Sequence, residues 1–136
     1  MAVDTSSGTV VMLMRLATAI KKRSTEELMG VKLRQLMLLS YLNSGAPALQ
    51  QQLCEALWLD ANNCVLLLNE LEDLGYVERR RDPADRRRHV VELTDAGRAA
   101  LERAEAAQES LGDELFAALS DEERATLRSL LGRVTV

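Results

Sequence analysis

Apolar residues recur at helical spacing through most of this chain, and the pattern changes only in one stretch past its middle. Val10, Leu13, Met14, Ala17, Ile20 and Leu28 predict one amphipathic helix over residues 10–28, with Lys21, Lys22 and Arg23 on its wet side. Gly30 ends it. From Val31 to Leu42 the chain is apolar nearly all round, which predicts a buried central helix. Asn43-Ser44-Gly45 reads as a turn, and Pro47 is placed to open a helix running to about Leu57. Trp58-Leu59 then leads into another helix from Asp60, an N-cap residue, to Leu74. Cys64, Leu67, Leu68 and Leu71 share one face of it, leaving Asn62, Asn63, Leu66, Asn69 and Glu70 nearer the other. Two helices joined this tightly fit a helix-turn-helix, the second being the recognition helix.

At Gly75 the period changes from helix to strand. Tyr76 to Arg81 and Arg88 to Leu93 predict two strands, joined by the loop Asp82 to Arg87. A helix-turn-helix followed at once by a hairpin is the order of a winged helix. Thr94 caps a further helix, Asp95 to about Leu119, and Ser120 with Glu123 forms a capping box for a last one to about Arg133. The stripe Leu101, Ala104, Gln108, Leu111, Leu115 and Ala118 reads as a helix-helix seam. With the first helix and with Leu127, Leu130 and Leu131 it predicts a dimerisation layer built from both chain ends; the alternative is that these helices cover their own domain. The expected fold is therefore mainly α with a small β-hairpin wing, a single domain over residues 1–136. Its winged helix-turn-helix core spans 31–98 and its dimerisation helices 1–30 and 99–136.

Composition sharpens this picture at one place. The net charge is −4, yet the hairpin carries Arg79, Arg80, Arg81, Arg86, Arg87 and Arg88 against Asp82 and Asp85 at its tip. Arginine concentrated on a hairpin suits a phosphate backbone, and the local field counts more than the total charge within a Debye length of about 8–10 Å. No apolar run approaches the ~18 residues of a membrane span, and Met1 to Gly8 lacks the pattern of a secretion signal, so a soluble cytoplasmic protein is expected. Cys54, Cys64 and His89 make a poor metal set, so neither metal nor cofactor is expected. Both cysteines sit among apolar neighbours and are expected in the core without a disulfide, redox sensing being the less favoured reading. An enzyme is disfavoured: Ser110 has no histidine in its segment, there is no glycine-rich phosphate loop, and one histidine limits acid-base chemistry.

The runs Leu59-Asp60 to Leu71, Leu74-Gly75-Tyr76-Val77, Asp82-Pro83-Ala84-Asp85-Arg86-Arg87 and Leu93-Thr94-Asp95-Ala96-Gly97-Arg98 are together similar to one family. The chain resembles the MarR family, the multiple antibiotic resistance regulators, and the most specific part of the likeness is Asp-x-x-Asp-Arg-Arg followed by Leu-Thr-x-x-Gly. The resemblance implies a homodimeric winged-helix regulator on a pseudo-palindromic operator in double-stranded DNA. It further implies a repressor of its own or neighbouring genes, released by a small aromatic or lipophilic effector. Recognition helices would enter successive major grooves and wings the flanking minor grooves, which agrees with arginine's attraction to a narrow minor groove.

The candidate DNA-binding residues follow. Arg87 matches the family's wing-tip arginine, Asp85 resembles a brace for its guanidinium, and Arg86 and Arg88 flank it. The plain alternative for the run is a solvated charged loop. Asn62 and Asn63 stand where asparagine can pair with adenine N6 and N7, although asparagine also favours helix starts. Leu66 occupies a position where the family often has a polar or basic residue, leaving a thymine-methyl contact. Gln50 can reach a phosphate oxygen or simply be solvated. For an effector the polar candidates are Arg15, Ser40, Tyr41 and His89, with Tyr41 read equally as a core aromatic and His89 as a strand residue. No cysteine lies in the first helix, where peroxide-sensing members carry theirs. The alternative function is a winged-helix protein-interaction module that has lost specific DNA readout.

Overall fold

The computed structural model describes residues 6–134 apart from 44–46. The elements run α1 Thr9–Arg23, α2 Glu26–Met29, α3 Leu33–Asn43, β1 Ala48–Leu49, α4 Gln50–Ala56, α5 Ala61–Asp73, β2 Val77–Arg81, β3 His89–Leu93, α6 Asp95–Leu115 and α7 Asp121–Arg133. Helices α3, α4 and α5 and the hairpin β2–β3 make the winged helix, and the fold is mainly helical with one small antiparallel sheet. The expected turn at Asn43-Ser44-Gly45 and the reading of Met1 to Gly8 fall largely outside the described residues.

The core sits where α3 and α5 pack against the sheet and the first half of α6. Leu38, Leu39, Leu53, Leu68, Leu71, Val77, Val91 and Leu101 are fully buried within it. Gln35 is the polar residue drawn into this core from α3. Its Oε1 accepts from the Lys32 N–H at 3.0 Å, covering a free donor at the helix start, and its Nε2 donates to Glu70 at 3.2 Å.

Several sequence expectations need correction. The first helix does not run on to Leu28: the backbone turns extended at Thr25, whose hydroxyl accepts from the Leu28 N–H at 3.2 Å and opens the separate helix α2. The stripe on α6 is in its first half a core face and not a seam. Leu101 and Ala104 are buried against α2 and α3, and Gln108 donates to Ser24 Oγ at 3.1 Å within the same chain. Helix α6 stops at Leu115, short of the expected Leu119. There Arg124 of α7 donates to the Phe116 carbonyl, at 3.3 Å from Nε and 3.1 Å from Nη2, and to Asp113 Oδ1 at 2.7 Å. A guanidinium satisfying the last carbonyls lets the chain turn back early.

The residues after Pro47 are not yet helical. Ala48 and Leu49 pair with Val91 and Val90, adding a third strand in the order β1-β3-β2 that ties the start of α4 to the wing. Cys54 and Cys64, expected as free thiols, form a disulfide with a Cα–Cα distance of 5.7 Å. The inward faces of α4 and α5 meet at these two positions, and the tight connection between the helices holds them there.

Candidate nucleic-acid interface

Helix α5 begins at a strong cap. Asp60 Oδ1 accepts from the Asn63 N–H and its Oδ2 from Asn63 Nδ2, both at 2.8 Å. Four apolar side chains, Cys64, Leu67, Leu68 and Leu71, bury the inner face, so Asn62, Asn63 and Leu66 stand exposed on the outer one. Asn63 is aimed by the cap and keeps its Oδ1 and second amide hydrogen for a base edge. Replacing Asp60 by alanine is expected to cost about 1 kcal/mol of stability, read by thermal or urea unfolding, and to release Asn63.

Two acidic side chains at the far end of α5, Glu70 and Glu72, are exposed but paired within the chain. Glu70 lies 3.8 Å from Lys32 and accepts from Gln35, while Glu72 pairs with Arg79 of β2 at 3.1 Å. Arg79 Nη2 also donates to Asn69. The side-chain hydrogen bond that Arg79 donates to Glu72 holds the Glu72 carboxyl below its usual value. Arg79 is thus a strut between recognition helix and wing, a role its place in an arginine run did not reveal.

The other five arginines divide similarly. Arg80 pairs with Glu92 on the neighbouring strand, and Arg81 Nη1 donates to the Arg86 carbonyl at 3.0 Å, bracing the loop. Arg88 lies between Asp82 at 3.6 Å and Asp85 at 3.5 Å. Asp82 also accepts from the Ala84 N–H at 3.0 Å, folding the tip as an Asx turn. Arg86 is exposed and has no ion-pair partner among the described residues.

Arg87 projects into solvent. Its side chain is 90% exposed, yet Nε and Nη2 donate to the two oxygens of Asp85 at 3.1 and 3.2 Å, and Asp85 accepts its backbone N–H as well. The fork is therefore aimed before any partner arrives. The Arg87 side-chain hydrogen bond is also the chief cause that lowers the Asp85 carboxyl below its ordinary value. A lowered carboxylate keeps its charge above that ordinary value and loses it only as pH falls through the lowered one. The affinity ratio between the parent and Asp85→Asn is therefore expected to stay constant from about pH 6 to 8, checked by duplex titrations across that range.

The wing and the exposed start of α5 border one cleft of about 350 Å³, with Ala61 and Val65 on one wall and Arg87, Arg88 and His89 on the other. Gln50 also lines this cleft, with its Oε1 buried. His89 belongs to this cleft, while Arg15 is exposed on α1 and Ser40 on α3. Tyr41, read alternatively as a core aromatic, is 40% exposed.

Residues 29–88, from the end of α2 to the wing, match the model of the MarR family. A protein assigned to regulation of the hcr operon of Thauera aromatica is 39% identical over 85 residues, which cover 62% of this chain and 51% of that protein. The transcriptional regulator YdgJ of Bacillus subtilis is 34% identical over 105 residues, covering 77% of this chain and 64% of YdgJ. The chain thus spans about half to two thirds of the length of these relatives. The repressor CouR, solved on a 23-mer DNA duplex, superposes with a TM-score of 0.79 at 28% identity over 93% of this chain and 92% of that one.

The chain belongs to the MarR family. Its winged-helix fold is the one that transcriptional regulators such as CouR also have. Within this MarR-family protein the Leu-Thr-x-x-Gly motif is a structural lock. Thr94 Oγ1 donates to the Gly75 carbonyl at 2.6 Å and accepts from the Gly97 N–H at 3.0 Å, and the Thr94 N–H donates to the Tyr76 carbonyl at 3.1 Å. The reversal after the recognition helix is thereby fastened to the start of α6.

Proposed function

We propose that this chain is a homodimeric, sequence-specific repressor of its own or neighbouring genes, acting in the cytoplasm and released from its operator by a small aromatic or lipophilic effector. The observation that carries the reading is the Arg87 fork, held by Asp85 across one cleft from Ala61 and Val65 at the start of α5. Asn62, Asn63 and Leu66 meet base edges in the major groove, Arg86, Arg87 and Arg88 follow the backbone into the minor groove, and Gln50 serves a phosphate between them. Arg15, Ser40, Tyr41 and His89 are the polar groups proposed for the effector. No described helix is long and apolar enough to cross a membrane.

Exposed apolar side chains at both ends support a dimer. Val10, Leu13 and Met14 on α1 and Leu130 and Leu131 on α7 are all exposed in the single chain, a face that a second copy would cover. Sedimentation is expected to give twice the chain mass, and the double variant Met14→Glu with Leu130→Glu is expected to sediment as a monomer with operator affinity lost. A single-mass parent chain would remove the dimer from the account.

The protein-interaction reading is favoured by two exposed apolar residues near the recognition helix, Trp58 at 81% and Leu66 at 54%, together with the absence of any Lys or Arg between residues 35 and 75. Trp58 also holds a left-handed backbone with φ 56°, uncommon for so bulky a residue. Equal, purely salt-dependent binding to all duplexes would support that reading.

A further inference from the structure

A cleft runs along each edge of the recognition helix. The first lies toward the wing, where Ala61 and Val65 face Arg87, Arg88 and His89. The second, about 360 Å³, lies on the opposite edge, where Asn63, Leu66 and Glu70 of α5 border Lys32 and Arg34 at the head of α3. With 3.6 residues per turn, Ala61 and Val65 fall to one side of the outer face and Asn63 and Glu70 to the other, with Asn62 and Leu66 between them. Between Arg23 and Arg79 the only basic residues of the sequence are Lys32 and Arg34, and both stand on this second cleft.

The two cations are differently held. Arg34 is exposed and has no ion-pair partner among the described residues. Lys32 is tied at two points: its backbone N–H donates to Gln35 Oε1 at 3.0 Å, and its ammonium lies 3.8 Å from Glu70 Oε2, which Gln35 Nε2 also reaches at 3.2 Å. Gln35 is only 3% exposed, so the link between α3 and α5 is anchored in the core. Glu70 is the acidic group of the cleft, and Lys32 neutralises it. An ammonium carries three hydrogens and can serve a carboxylate and a phosphate together.

A helix seated in a major groove about 12 Å wide lies between two phosphate strands. Arg87 and Arg88 serve the wing edge of α5, and Gln50 lies on that same side. We propose that Lys32 and Arg34 bind the phosphates of the strand along the other edge, so that the base-reading face of α5 is clamped from both sides. Charge and position both favour this occupant: the cleft's cations outnumber its one carboxylate, and its α5 wall includes Asn63 and Leu66, which face the bases. Contacts of this kind set register on the duplex without reading sequence. The inference rests on the operator reading above.

The test reads salt dependence and phosphate mapping. Lys32→Gln with Arg34→Gln is compared with the parent and with Lys21→Gln plus Lys22→Gln, which removes the same charge from exposed positions of α1. Each protein is titrated with the chain's upstream duplex and a shuffled duplex from about 50 to 200 mM salt. The α3 variant is expected to bind both duplexes roughly tenfold or more weakly and to keep the preference between them. Its slope of log affinity against log salt is expected to be shallower by about two for each bound chain, while the α1 variant keeps the parent's slope. Ethylation interference is expected to show that the phosphates the α3 variant no longer needs are separate from those lost by Arg87→Ala. An unchanged slope in the α3 variant, an equal loss in the α1 variant, or an interference pattern identical to the parent's overturns the proposal. Arg34→Gln alone, with a slope shallower by about one for each chain, carries the test if the double variant fails to fold. If the parent shows no preference for its upstream duplex, the operator reading fails instead, and the salt slope alone judges Lys32 and Arg34.

Discussion

Replacing Arg87 by alanine is expected to weaken operator binding by about 1–3 kcal/mol, tenfold or more at fixed salt, while leaving the melting temperature almost unchanged. The side chain is 90% exposed and packs nothing, so the fold loses only a surface ion pair, typically of small net value. The DNA complex loses more. A guanidinium aimed by Asp85 meets a narrow minor groove without first being ordered, and its removal leaves the Asp85 carboxylate facing phosphate. Lysine at the same position is expected to recover only part of the affinity, because a single ammonium cannot take both Asp85 oxygens in a fork. Fluorescence anisotropy with a labelled duplex measures all three proteins. Equal affinities for the parent and Arg87→Ala would remove the wing from the mechanism.

The largest effect on stability is expected from Gly97→Ala. A Cβ at this position would lie 2.1 Å from the Tyr76 carbonyl oxygen and 2.8 Å from Leu93 Cδ1. The first neighbour is backbone, and it already accepts the Thr94 N–H, so it cannot move without breaking the lock between the wing and α6. Relief would require the first turn of α6 to shift. The expected cost is about 3 kcal/mol or more, with a melting temperature lower by roughly 10 °C, read by calorimetry. By contrast Gly112, within the same helix, has only a Phe116 ring carbon at 4.0 Å, and Gly112→Ala is expected to be tolerated.

The order of the helix-turn-helix and wing was legible because the hydrophobic period changes sharply at Gly75 and Asp60 is a strong cap. What escaped depended on contacts between distant residues. The break between α1 and α2 hangs on the Thr25 cap and on Ser24 held by Gln108, a partner 84 residues away. The strand β1 is only two residues long and exists because β3 offers Val90 and Val91 to pair with it. The α6 stripe has the same spacing whether it meets its own α2 and α3 or a second copy, so periodicity could not decide between them.

The site shows a similar division. The arginine cluster was visible, but its division into strut, strand partner, loop brace and outward fork was not, since Glu72, Asn69 and Glu92 reach it only after the chain reverses. Cys54 and Cys64, ten residues apart on two helices, read as free thiols in the core from their apolar neighbours, because a local pattern does not show that the two helix faces meet. Leu66 was identifiable as an outward residue by the inward positions of Cys64, Leu67 and Leu68 around it.

The central claim is sequence-specific DNA recognition by the exposed start of α5 and the braced wing. The most direct test is the affinity of the purified chain for a duplex from its own upstream region, against a shuffled duplex of equal composition, at physiological salt. A preference of the order of 10³ or more for the native sequence is expected. Equal, weak binding to both duplexes, falling together as salt is raised, would contradict autoregulation through this interface.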